Sequence, residues 1–109
     1  MAYDEGLATR LRDLIGAEPG LTEKRMFRGL SMLLDGNMAV SVSGDELLVR
    51  IDPADQERLL AEPGAHVFDR TGRPMKGWLL VAPAGFAEDD DLRRWVARGV
   101  AFARTLPPK

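Results

Sequence analysis

The alternation on either side of Asp35-Gly36-Asn37 restricts the fold of this chain more than any other feature. Leu30, Met32 and Leu34 lead into it two residues apart, and Met38, Val40 and Val42 leave it in the same rhythm. A period of two puts such side chains on one face of an extended strand. The Asp-Gly-Asn stretch supplies the positive φ that a tight hairpin turn demands. An antiparallel hairpin is expected, with Met32 and Met38 filling gaps in the core. Ala39, Ser41 and Ser43 fall between the apolar positions of the second strand, and with Ser31 the serines are expected on its less buried face. Ser43-Gly44-Asp45 turns the chain again, and Leu47, Val49 and Ile51 continue the alternation.

Helical spacing brackets this meander. Leu7, Leu11, Leu14 and Ile15 stand at i, i+4, i+7 and i+8, and Gly16 and Pro19-Gly20 stop the helix they imply. Asp52-Pro53 is a helix start, with a carboxylate to accept from orphan N–H groups and proline at the first position. That helix must end near Glu62, before Pro63-Gly64. His66 to Asp69 and Met75 to Ala82 read as a second hairpin. A last helix runs from about Glu88 to Arg104, its face built from Leu92, Trp95, Val96, Gly99, Phe102 and Ala103. Trp95 and Phe102, seven residues apart on one face, are expected to pack on the sheet near Val40 or Val49. The order α-β(4)-α-β(2)-α describes an α+β domain, an antiparallel sheet flanked by helices, occupying residues 1–109 as one unit.

Composition narrows the chemistry. The 109 residues include no cysteine and one histidine, which excludes disulfides, thiolate metal sites and a cysteine nucleophile. No cofactor and no metal are expected. A net charge of −2 provides no bulk positive field for nucleic acid. The longest apolar run, Trp78 to Gly85, is too short to span a membrane, and no signal peptide precedes the first helix; a soluble cytoplasmic protein is expected.

The motifs reduce to structure more readily than to catalysis. Gly72 and Gly77 have the spacing of a phosphate-binding loop, but Trp78-Leu79 follows where lysine and serine or threonine are needed, and a strand follows where a helix is needed. Gly72 then belongs to a turn beside Pro74. Gly77 becomes a strand glycine that permits a bulge next to Trp78, which buttresses the turn. Glu88-Asp89-Asp90-Asp91 sits where a helix dipole favours negative charge and is expected to act as a cap. His66 has no accompanying nucleophile motif and is expected to face solvent or serve structure. The remaining constellation is basic: Lys24, Arg25 and Arg28 in one turn, and Arg70, Arg73 and Lys76 in another. Arg25, Arg28, Arg70, Arg73 and Lys76 are the candidate binding residues, on the condition that the two turns meet at one end of the sheet.

At these residues the sequence resembles the TfoX N-terminal domain family, named for the regulator of competence-specific genes. The stretches that carry the likeness are TEKRMF at 22–27, GNMAVSVSGDELLVRI at 36–51, FDRTGRPMKGW at 68–78 and WVARGVAFARTLPPK at 95–109. GRPMKGW is the most specific of them. The resemblance implies an α+β fold of the kind seen in type III secretion chaperones, with dimers common. It carries over no catalytic residue, and Arg28 stands where relatives often have glycine. The expected function is therefore a non-enzymatic cytoplasmic module, regulatory or protein-binding, acting as a homodimer with a protein partner not identified by the sequence. Nucleic-acid or anionic-ligand binding through 24–28 and 70–76 is the alternative, and an enzyme of unrecognised type a third.

Overall fold

The computed structural model describes residues 3–26, 29–70 and 73–109, excepting the side chains of Met26, Arg70, Arg73 and Pro74. The elements are α1 (Glu5–Ile15), β1 (Leu21–Met26), β2 (Gly29–Leu34), β3 (Asn37–Ser43), β4 (Glu46–Arg50), α2 (Gln56–Leu59), β5 (Ala65–Arg70), β6 (Arg73–Val81) and α3 (Asp89–Ala103). Their order is the one expected from periodicity. The strands form one antiparallel sheet in the order β1-β2-β3-β4-β6-β5.

Local chemistry explains the boundaries. The Asp4 carboxylate accepts from the Gly6 and Leu7 N–H groups at 2.8 and 3.3 Å, capping α1. Asp35 and Gly36 adopt φ of 51° and 87°, closing the β2–β3 hairpin with two residues. The C-terminal segment is tied to that turn: Lys109 N donates to Asp35 O at 2.8 Å, and Asn37 Nδ2 donates to Pro107 O at 2.9 Å. Asp52 accepts from Ala54 N at 2.9 Å and starts a 3-10 turn, Pro53–Asp55, that runs into α2.

One sheet face carries the core. Leu30, Met32, Val40, Val42, Leu47, Val49, Leu79 and Val81 are buried there. They form one cluster with Leu7, Leu11 and Ile15 of α1, Leu59 of α2, and Leu92, Trp95 and Val96 of α3. Helix α3 comes closest at Gly99, where a Cβ would lie 2.5 Å from the Ala39 carbonyl oxygen.

Four expectations change. Met32 pairs with Val40 but Leu33 with Met38, so Ala39 is an extra residue in β3. This bulge turns Met38 to the face opposite Met32; Met38 is buried, but outside the main core. Ser31 and Ser41 are fully buried rather than half-exposed. They are direct cross-strand partners whose polarity is met internally: Ser31 Oγ bonds Ser41 Oγ, and Ser41 Oγ donates to Leu30 O, both at 3.1 Å. The acids opening α3 make no side-chain cap bond. Arginines take them instead, Asp90 by Arg93, Asp91 by Arg94 and Asp89 by Arg10 of α1. Finally, Phe102 is only half-buried, whereas Trp95 is in the core.

Candidate functional site

The sheet order decides what the basic turns can do. β1 and β5 are opposite edges, and the pairings Met26–Gly29 and Arg70–Arg73 mark the turns that follow them. Gly29 pairs with Ser43, and Ser43 with Glu46, so the β1–β2 turn shares an end of the sheet with the β3–β4 turn. Arg50 pairs with Trp78 at the other end, beyond which the β5–β6 hairpin continues. The two turns therefore lie at opposite ends and opposite edges, and the topology does not bring Arg25 together with Lys76. Lys24 and Arg25 lie within β1 and Lys76 within β6, not in turns as expected, and both the Arg25 and Lys76 side chains are exposed. Arg28 and Gly72 lie outside the described residues, as do the side chains of Arg70, Arg73 and Pro74.

Gly77 behaves as its position in the sequence implied. It has φ of 86°, and four residues of β6, Met75 to Trp78, stand against Phe68 alone in β5. The bulge aims its N–H at Gln56 Oε1, 2.7 Å away, and its carbonyl at Ile51 N, 2.9 Å away. In this way the base of the second hairpin is fastened to α2 and to the exit of β4.

Beside this fastening lies a cleft of about 260 Å³ between the end of α3 and the 3-10 turn with α2. Ile51, Leu59, Ala101 and Phe102 form its apolar walls, and Asp52, Asp55, Arg58, Arg98 and Thr105 its rim. The rim charges are largely matched. Arg58 pairs with Asp55 at 3.2 Å, and Arg98 grips Glu62 with two bonds of 3.0 and 2.7 Å.

Arg50, at the end of β4, is different. Its guanidinium carbon lies 5.0 Å from the centre of the Trp78 ring and 5.5 Å from that of Phe102, a cation held between two aromatic rings. Among the described residues it has no carboxylate partner. Nothing local in the sequence singles it out. The signal available was its place directly across from Trp78, visible only once β4 and β6 are known to be neighbours.

His66 lies with Nε2 3.1 Å from each Glu46 carboxylate oxygen, a partly exposed pair bridging the ends of β5 and β4. Among the described residues, no group of three His, Cys, Asp or Glu side chains is arranged as a metal site. Nor is any helix among them long and apolar enough to cross a membrane.

No curated protein matches the chain. Residues 13–103, which span every strand and the whole of α2 and α3, match the family model described as the TfoX N-terminal domain. The chain belongs to the TfoX N-terminal domain family.

Proposed function

We propose that this member of the family is a non-enzymatic interaction module that works as a homodimer. The observation that carries the reading is the second face of the sheet. All three helices bury against the other face. Leu33, Met38, Leu48 and Leu80 form an apolar strip on the face they leave, with the mutually bonded Ser31 and Ser41 in the same row. An antiparallel sheet that meets water on one side normally alternates polar residues there. Here Met38 and Leu48 are buried already, and Leu33 and Leu80 are half-buried, so further cover by a like surface removes apolar area from water. A two-fold dimer meets that need because each copy presents the patch its partner lacks.

Edge β1 is a poor alternative contact, since Thr22, Glu23, Lys24 and Arg25 are exposed and their charges guard its free backbone. The non-enzymatic half of the proposal draws on the serines: the Ser31 and Ser41 hydroxyls are consumed by each other and by Leu30 O. A cytoplasmic regulatory role is the biological form of the same proposal, with protein contacts rather than chemistry as its means.

Sedimentation at tens of micromolar is expected to show a dimer. Leu33→Glu with Leu80→Glu is expected to give a monomer whose circular dichroism is unchanged. A wild-type monomer throughout that range removes the dimer from the proposal, and a dimer indifferent to the double substitution moves its interface elsewhere.

A further inference from the structure

We propose that Arg50, clamped by Trp78 and Phe102, is an anchor for a carboxylate of a partner peptide whose neighbouring apolar side chain fills the adjoining cleft. Arg50 and Trp78 alternate in phase with Leu48 and Leu80 at one end of the helix-free sheet face. Phe102 of α3 closes the clamp, however, and the test reads peptide binding rather than self-association, so it can fail apart from the homodimer reading. It begins with an imbalance of charge. Every arginine on the three helices reaches a carboxylate: Arg10, Arg12, Arg58, Arg93, Arg94 and Arg98 do so at 2.7 to 3.2 Å. Arg50 reaches two ring faces instead. Aromatic rings attract the cation without occupying its N–H groups, which project at the edge of the guanidinium plane. The result is a positioned fork of donors, and a planar carboxylate is the acceptor that matches it with two parallel bonds.

The cleft selects the rest of the ligand. Phe102 forms one of its walls and also touches Arg50, and Ile51, the next residue in the chain, forms another. One or two residues of extended peptide, at most ~3.6 Å each, suffice to join an apolar side chain in the cleft to a carboxylate on Arg50. At about 260 Å³ the cleft falls below the roughly 300–1,000 Å³ of small-molecule and cofactor sites. One side chain of a larger partner suits it better. Asp52, a rim acid with no cationic partner among the described residues, opposes a multiply charged phosphate or a nucleic-acid backbone more than a single carboxylate. Charge and size thus converge on an apolar residue followed by an acid, either a side chain or a chain terminus.

The test uses the full chain, labelled with 15N, and a short peptide ending in Leu-Glu with free carboxylates. Its counterpart ends in Leu-Gln-amide, and inorganic phosphate at matched ionic strength is the third probe. Saturable shifts are expected at the Arg50 Nε–H, the Trp78 indole N–H and the amide of Phe102 with the acidic peptide. The amidated peptide is expected to bind at least about tenfold more weakly, the loss of a charge-assisted pair. Arg50→Gln is expected to cost the acidic peptide the same factor while leaving the amidated one unchanged. Should Arg50→Gln fail to fold, Arg50→Lys keeps the charge without the fork and is expected to lose most of the same factor. Absence of shifts at these three groups overturns the proposal, as does binding that ignores both Arg50 variants. Phosphate competing as well as the peptide overturns its carboxylate and peptide parts together.

Discussion

Trp95 and Phe102 are two aromatic residues seven positions apart on one helix, yet they have different fates. Trp95 is 1 % exposed among the core residues shared by α1 and the sheet. Phe102 is half-buried and serves as a wall, with the cleft and Arg50 beside it. Seven residues are nearly two turns, so helical phase alone cannot separate them. Their neighbours do. Trp95 lies in the core with α1 and the sheet, whereas Phe102 borders the cleft against a 3-10 turn and a helix of four residues. That pair is too short to close over Phe102, and a cleft is left. Truncation measures the contrast. Trp95→Ala is expected to cost about 3–5 kcal/mol in urea unfolding, as for a buried large aromatic. Phe102→Ala is expected to cost about 1–2 kcal/mol, in proportion to its smaller buried area. Equal losses would mean that the cleft is closed in solution.

The approach of α3 to β3 offers the next largest effect. A Cβ at Gly99 would lie 2.5 Å from Ala39 O and 2.9 Å from Val40 Cγ1. Alanine is the better helix former by about 1 kcal/mol. Here the obstructing atom is backbone, so the helix must move off the sheet and the packing loss wins. Gly99→Ala is expected to destabilise by about 1–3 kcal/mol. A gain in stability would place α3 further from β3 in solution.

The sequence disclosed the parts of this fold that depend on neighbours along the chain. The order of helices and strands, the Asp35-Gly36 turn and the helix start at Asp52 follow from spacing and cap chemistry. The bulge at Ala39 does not, because nothing local distinguishes an extra residue from a regular one until Met32 and Val40 are paired. The burial of Ser31 and Ser41 is hidden from local pattern for a related reason. Hydroxyls read as polar, and only the register shows that the two satisfy one another. The candidate site was the least legible. Basic turns drew attention through charge, but strand order puts them at opposite corners. Arg50 acquires its aromatic clamp from β6 and α3, 28 and 52 residues further along, as its pairs with Trp78 and Phe102 show. Contacts at that separation leave no periodic trace.

Arg98 joins the two halves of α3. It stacks 4.6 Å from the centre of the Trp95 ring and grips Glu62 through both carboxylate oxygens. Both side chains are about three-quarters covered, at 27 % and 25 % exposure, so screening is incomplete. Arg98→Met keeps the stem over Trp95 but discards the fork. Its expected cost is about 1 kcal/mol, and a double-mutant cycle with Glu62→Gln is expected to recover most of that as coupling. A coupling near zero would assign the role of Arg98 to packing on Trp95 alone.

The smallest effect is expected at the edge of the sheet, where α1 meets strand β1. Arg12 Nε and Nη2 donate to the two oxygens of Glu23 at 2.9 and 3.0 Å. The hydrogen bond from Arg12 holds the Glu23 carboxyl below its usual range, against an opposing desolvation, and the same pair raises the Arg12 guanidinium. A carboxylate whose folded pKa is depressed stabilises the fold above its unfolded pKa, ~4.3 for glutamate. It loses that contribution as pH falls through the lower, folded value, where both states carry the proton. The Arg12 shift acts only at strongly alkaline pH and leaves the acid side to Glu23. Wild type is therefore expected to exceed Glu23→Gln in stability by a small margin at neutral pH. The margin narrows on acidification below ~4.3 and disappears once the folded Glu23 is protonated. Because Arg12 is exposed, molar salt at neutral pH is expected to shrink the same margin. Urea titrations of both proteins along a pH series test this directly. A margin that holds constant down to strong acid would show that Glu23 supports β1 through its methylene packing and not through its charge.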